Sequence, residues 1–414
     1  MNYCSIKTFA LVAFLLLNAC SSSDISNKKY STINIADNVG KGYLLNISEI
    51  AESIEYIPLE TTDSSLLENL RDVYYSKGFF VLNQIRNASG TFKIFDRKGQ
   101  FFNTLNRQGR GPQEYTSVYS MDVYNNNIIL LTINKLNEYS FDGKFIRTIS
   151  LVKEEAPLGY AKVKKLDDNH YLLTPNLGSK HQYKYSAFIV DSTAKIILSF
   201  HYPESEIELA KNQDGIAKGL ASVMIFKHKG IGKVISGFNE FIISHDTEFE
   251  NVDTINKINY GKYQHTAQNI GTSNKNSKLI NLSYDIMESN DFMFMSLGLM
   301  ALAHKPMKMK NRVTGNDFIF PFSCALYDKR DGSFRLIDQP EDYQKGFIDD
   351  FEGGPAFWPN YISDDEYMVS FINASEFIEH AQTHKVSAKF KKIADGLKDT
   401  DNPVLVMVKL KSSK

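Results

Sequence analysis

The sequence predicts an all-β propeller, and two observations carry the prediction. The first is a hairpin with Asp at its tip, repeated along the chain. Phe92–Leu105 turns at Asp96 and Gly99, Leu136–Ile149 at Asp142 and Gly143, and Ala187–Leu198 at Asp191. Asp and Gly tolerate the positive φ that tight hairpins need. These three tips are 46 and 49 residues apart, close to the length of one four-stranded blade. The second observation is the set of β-rich runs between the tips, such as Gly78–Leu82, Asn127–Thr132 and His170–Thr174. Their spacing of roughly ten residues fits strand–turn–strand units. A sandwich of unrelated hairpins gives no reason for the interval. A further hairpin, Cys324–Ile337, turns at Asp328–Gly332.

In chain order the first element is an export leader. Lys7 precedes an apolar run, Phe9–Leu17, which ends in Leu17-Asn18-Ala19-Cys20 and a polar stretch. The run is too short to span a bilayer and has the layout of a cleaved signal. It resembles bacterial lipoprotein signals, which implies acyl chains on Cys20. Each buried methylene contributes about 0.8 kcal/mol, so two or more chains make a lasting anchor. The rival reading is a secreted protein with an incidental Cys. Residues 1–19 are read as signal peptide, 20–31 as a flexible tether and 32–414 as the propeller.

The chain has 47 basic and 48 acidic residues, a net charge of -1; without Lys7 it is -2. This balance offers no basic face for nucleic acid. The 28 Phe and 22 Tyr supply a large core. Cys4 leaves with the leader and Cys20 takes lipid, so Cys324 stands alone and no internal disulfide forms. The fold must then rest on core burial. Cys324 sits in the strand-like run Phe322–Tyr327 with no His or basic residue near it in sequence. It reads as a small buried residue rather than a nucleophile. Pro203–Met224 has helix-forming content, and Ser375–Leu397 places Val386, Phe390, Ile393 and Leu397 on one helix face. Phe292–Leu297 is apolar on both faces, so its methionines read as core rather than soft-metal ligands.

Several motifs carry a resemblance: Ile54–Thr62, Phe95–Gly99, Arg107–Tyr115, Ile348–Pro359 and Asn402–Leu405. Through them the chain is similar to the six-bladed β-propeller lipoproteins abundant in Bacteroidetes, related in architecture to NHL-repeat propellers. The match is weaker between about residues 211 and 310, where blade boundaries stay open. The resemblance implies six blades, with a strand from Ile33–Ile57 completing a blade with Val404–Leu410. Such closure removes an exposed sheet edge. The family has no single settled activity.

Two motifs offer candidate ligand contacts. In Arg107–Tyr115, glycines let the backbone fold tightly, and Arg107 and Arg110 present planar forks suited to a carboxylate or sulfate. The alternative is an Arg–Glu114 pair that fixes an inter-blade loop. The motif lacks the Gly-Lys-Ser/Thr of a phosphate loop. In the second motif, Asp349 and Asp350 are acceptors for sugar hydroxyls, and Trp358, the only Trp, offers a stacking face. The alternative is a loop held down by its aromatic residues. A glycosidase built on paired carboxylates is a further reading of the acids. His380 and His384 stand four residues apart, a spacing that can hold a metal. Ala381 departs from the zinc-protease pattern, and a solvated helix face is expected. No catalytic residue, metal ligand or cofactor is predicted.

The function expected is a lipid-anchored module of the cell envelope that binds a glycan, a peptide or a partner protein. The rival is a metal-dependent propeller enzyme of lactonase or lyase type; a scaffold subunit is the third reading. The location expected is the outer membrane. Asp24 is the only acid close behind Cys20, so a periplasmic face is expected at least as much as a surface one.

Overall fold

The computed structural model describes residues 30–68, 70–84, 90–152, 154, 156, 159–176, 184–203, 223–236, 238, 240–266, 278–283, 286–311 and 314–412. Two strands, β1 (Ser31–Asn34) and β2 (Ala51–Pro58), precede the first blade. Blade 1 is β3 (Leu70–Ser76), β4 (Phe79–Gln84), β5 (Phe92–Asp96) and β6 (Phe101–Leu105). Blade 2 is β7 (Ser120–Tyr124), β8 (Asn127–Leu131), β9 (Lys135–Ser140) and β10 (Phe145–Ser150). Blade 3 is β11 (Tyr160–Lys165), β12 (Tyr171–Pro175), β13 (Tyr185–Val190) and β14 (Ile196–His201). Blade 4 is β15 (Met224–His228), β16 (Ile231–Ile235), β17 (Phe241–His245) and β18 (Val252–Asn259). Blade 5 holds β19 (Asn281–Leu282), β20 (Met287–Glu288) and β21 (Phe292–Gly298). A separate hairpin follows, β22 (Met307–Lys310) with β23 (Asp317–Phe320), and then β24 (Phe322–Asp328) and β25 (Phe334–Ile337) complete the blade. Blade 6 is β26 (Tyr361–Ile362), β27 (Tyr367–Ile372), β28 (Val404–Leu410) and, from the other end of the chain, β2. The inner strands β3, β7, β11, β15, β20 and β26 adjoin one another in turn around a ring. The molecule is a six-bladed β-propeller.

Side chains on both faces of each blade are buried between blades. Ile128–Leu131 is fully buried, for example, and Phe292–Gly298 nearly so. That is why the strands read as continuous apolar runs rather than alternating ones. One apolar cluster fills each junction between neighbouring blades. Cys324 lies in one of them, and burial pushes its thiol up to about 12, which leaves it inert.

The Asp tips owe their recurrence to a shared hydrogen-bond geometry. Asp96 Oδ1 accepts the amides of Lys98 at 2.8 Å and Gln100 at 2.9 Å. Asp191 Oδ1 accepts those of Thr193 at 2.8 Å and Lys195 at 3.0 Å. Asp328 takes Arg330 N at 3.0 Å. Blade 4 has the same device at Asp246, which accepts Glu250 N at 2.8 Å and Asn251 N at 3.0 Å. No glycine marks that turn; Phe249 adopts the positive φ of 58° instead. Blade 6 has no such tip because its outer strand comes from the N-terminal side. Gly99 is required at its tip: φ is +80°, and a Cβ there would lie 2.3 Å from the Pro58 carbonyl oxygen at the end of β2.

Ring closure divides the expected N-terminal strand in two. Only Ala51–Pro58 pairs with β28, antiparallel from Ala51↔Leu410 to Pro58↔Val404. Ile33 instead lies in β1, which adds parallel to β18 of blade 4, with Ile33 opposite Ile258. Between them, Tyr43 bridges Ile337 at the edge of blade 5, and Asn46 bridges Ile348. Residues 31–58 therefore run along the outer edges of blades 4, 5 and 6 in turn, held by buried Ile33, Ile35, Leu45 and Ile47. The strap covers backbone edges that would otherwise template pairing.

The single helix expected over Ser375–Leu397 is two helices, α1 (Ala374–Thr383) and α2 (Ala388–Asp395). Ser387 causes the break: its Oγ caps α2 by accepting Phe390 N at 3.0 Å, and its own N–H goes to the Glu352 carbonyl. The bend lets Phe377 and Phe390 stack at 3.9 Å, with both ring edges against Tyr56. Val386, Ile393 and Leu397 pack on the same core as expected. The leader, the tether up to Lys29 and residues 204–222 of the helical stretch expected at Pro203–Met224 lie outside the described residues.

Buried histidines set a lower pH limit on stability. His245 accepts Gly232 N–H at Nε2 (2.8 Å) and donates from Nδ1 to the Asp246 carbonyl, which fixes a neutral imidazole. Burial holds His245 below the ordinary histidine range, and does the same for His265 and His380. Below about pH 6.5 the unfolded chain takes up protons that these groups refuse in the fold, so stability falls with pH. Urea unfolding is expected to give a lower midpoint at pH 5.5 than at pH 7.5. Equal midpoints would contradict it.

Candidate functional site

The sequence-predicted residues sit on two separate inter-blade loops. Arg107–Tyr115 connects blades 1 and 2, where Tyr115 is fully buried and zips the loop shut. Its N–H donates to the Arg107 carbonyl at 3.0 Å, its carbonyl accepts Gly109 N at 2.9 Å, and its OH reaches the Gly90 carbonyl at 3.0 Å. Glu114 pairs with neither Arg among the described residues; Oε2 accepts Gly111 N at 2.7 Å. A Cβ on Gly109 would fall 1.9 Å from that oxygen, so the glycine makes room for the carboxylate. Arg107 is exposed, with Nε on the Gly143 carbonyl at 3.2 Å, and Arg110 is exposed too.

The loop between blades 5 and 6 is held by its own backbone amides and by residues of the strap and β2. Asp349 is buried, and its carboxylate accepts four hydrogen bonds: Phe351 N, Glu352 N, Gly354 N and Tyr56 OH, all between 2.8 and 3.1 Å. It has no acceptor capacity to spare for a sugar. Asp350 is exposed, and Oδ1 takes Ser48 N of the strap at 3.1 Å. Trp358 is 6 % exposed, stacked on Phe347 and edge-on to Phe294. The expected sugar platform at Trp358 is therefore corrected: the ring is core, with its faces already covered.

The inner strands bring together a different set. Asp122, on β7, is fully buried. Its Oδ2 accepts Lys165 N at 2.8 Å and Lys227 Nζ at 2.6 Å. Lys227 thus reaches from blade 4 to blade 2, crossing blade 3, where it also holds the Lys165 carbonyl at 2.6 Å. Lys164 Nζ lies 3.8 Å from Asp122 Oδ1, too far to hydrogen-bond, and that oxygen has no hydrogen-bond partner among the described residues.

Tyr124 lies under both Lys165 and Lys227. From blades 1 and 6 come Tyr74 and Tyr361, with ring centroids 5.2 Å apart. Burial, and then nearby carboxylates that include Asp122, hold both phenols well above their ordinary range, so they stay protonated donors. Beneath this group the inner turns of blades 4, 5 and 6 are tied together. Lys229 N bonds Asp364 Oδ1 at 2.9 Å, Lys229 Nζ bonds Asn290 Oδ1 at 2.7 Å, and Asn290 N donates to the Glu366 carboxylate.

A family model matches residues 30–409. The chain belongs to the family described as Domain of unknown function (DUF4934). Among solved structures, this DUF4934 chain is similar to the Bacteroides fragilis NCTC 9343 protein named "Putative exported protein (BF0058)". The TM-score is 0.64 at 18 % identity, covering 92 % of this chain and 100 % of that one. It is also similar to a member of the duf4221 family from Bacteroides vulgatus ATCC 8482, at TM-score 0.47 and 12 % identity, over 88 % of this chain and 98 % of that one. No curated protein matches the chain.

The channel residues of this DUF4934 protein left only a faint mark in the sequence. Asp122 sits inside Ser120–Tyr124, and Lys164 and Lys165 close Tyr160–Lys165, a strand that also carries Lys162. A buried charge needs a partner, but the partners lie on other blades, and linear spacing does not reveal them.

Proposed function

We propose that this protein is an envelope interaction module, anchored through lipid on Cys20, that takes an acidic glycan into its central channel. The observation that carries the reading is Lys164, a partly exposed ammonium on an inner strand that is paired only loosely, at 3.8 Å, with the buried Asp122 Oδ1, an oxygen with no hydrogen-bond partner among the described residues. A sugar carboxylate suits Lys164, whose side chain is 26 % exposed. Tyr74, Tyr124 and Tyr361 supply aromatic faces and phenol donors for a pyranose ring. The leader motif at Leu17–Cys20 supports the anchor. The name of the similar Bacteroides fragilis protein agrees with export. Among the described residues no helix is long and apolar enough to cross a membrane.

The test is a glycan array on purified protein, followed by calorimetry on the best acidic hit. Lys164→Ala is expected to weaken that hit by tenfold or more while leaving the thermal midpoint close to that of the parent. An array without acidic hits, or a hit indifferent to Lys164→Ala, would sink the glycan reading. Cys20→Ser is expected to move the protein from the membrane fraction to the soluble one; unchanged fractionation would sink the anchor.

A further inference from the structure

We infer that Glu341, His380 and His384 form a divalent-metal site, separate from the channel. His380 belongs to α1, His384 follows its last residue, and Glu341 comes from the loop between β25 and β26. One ligand atom from each lies within 4.8 Å of the other two. Sequence spacing offered only the two histidines; folding of the blade 5–6 loop adds the carboxylate.

Each imidazole has one nitrogen already engaged. His380 Nε2 is 2.9 Å from the Gly353 carbonyl and must donate to it, which leaves Nδ1 with its lone pair. His384 Nδ1 is 2.9 Å from Thr383 Oγ1, and Nε2 faces the Glu341 carboxylate at 3.3 Å. A carbonyl partner on the far nitrogen, such as Gly353 gives His380, is what orients metal-ligating histidines and fixes their tautomer. His380 is 7 % exposed, whereas Glu341 and His384 are exposed. An ion therefore has one inner ligand and a direct path from solvent. Two imidazole nitrogens and one carboxylate suit Zn²⁺ and its late first-row neighbours, not Ca²⁺ or Mg²⁺. Three protein ligands leave the fourth position of a tetrahedral site to water.

The imidazoles are stacked, with centroids 4.0 Å apart and planes 7° from parallel. An ion must lie near both ring planes, so binding turns the His384 ring. The exposed position of His384, just past the end of α1, permits that turn at the cost of the Thr383 contact. The competing account of the cluster is an ion pair between His384 and Glu341 that ties α1 to the loop, with no ion involved.

Calorimetry with ZnCl₂ on the purified full chain separates the two. The site account expects one equivalent bound, with affinity at least tenfold weaker in Glu341→Gln and in His384→Ala. It also expects zinc to raise the thermal midpoint of the parent and of neither variant. Both substitutions are at exposed positions, and an unchanged circular dichroism spectrum verifies that they fold. Absence of saturable zinc binding, or binding that both variants retain in full, would overturn the inference.

Discussion

A chain ending at Pro403 is expected not to fold. It lacks β28, which pairs with β27 on one side and β2 on the other and buries Val404–Val408 completely or nearly so. Each buried Val, Leu or Met contributes roughly 1.5–3 kcal/mol. Losing five such residues removes about as much free energy as a whole domain retains on folding. The loss also exposes two strand edges at once. Asn402, just upstream, shows how tightly the closing strand is fastened: Nδ2 donates to the Glu60 and Ser65 carbonyls, and Oδ1 accepts Leu67 N, all within 3.0 Å. Near-ultraviolet circular dichroism and limited proteolysis read the outcome. A truncated chain with native signal and protease resistance would contradict closure.

The second large effect is expected at Glu138. Its carboxylate is 1 % exposed and accepts from Lys165 Nζ at 2.5 Å, Arg147 Nε at 3.0 Å and the Tyr171 hydroxyl. Lys165 is itself buried, with its ammonium 4.8 Å from the Tyr171 ring centroid. Glu138→Ala strands that ammonium without a counter-charge, at a cost of about 3–5 kcal/mol. Replacing the pair together, Glu138→Leu with Lys165→Met, removes both charges and is expected to recover most of the loss. Urea unfolding of the single and double variants checks this. A double variant as unstable as Glu138→Ala would show that the pair does more than neutralise itself.

The architecture was legible in the sequence because turn chemistry is local. Asp96, Asp142, Asp191 and Asp328 each bind amides two to four residues away, so the signal sits within the hairpin itself. Asp246 escaped because Phe249 takes the glycine's place. Blade 5 read poorly because the β22–β23 hairpin is spliced between two of its strands. Sites were less legible for the opposite reason. Asp122 meets Lys227 across 105 residues, and Glu341 meets His384 across 43. Trp358 and Asp349 stood out by composition, yet both serve the core and its loop. Residue type marked them; only three-dimensional burial shows what they touch.

The channel exists only if the two ends of the chain share blade 6, and a cross-link tests that most directly. Ser53 and Lys409 are register partners on β2 and β28, and opposed residues of an antiparallel pair lie within disulfide reach. Ser53→Cys with Lys409→Cys is expected to form an intramolecular disulfide on mild oxidation, undisturbed by buried Cys324. By tying such distant points the bond is expected to raise the thermal midpoint, with about 6 kcal/mol as the chain-entropy bound. A folded double variant whose thiols stay free under oxidation would contradict the ring.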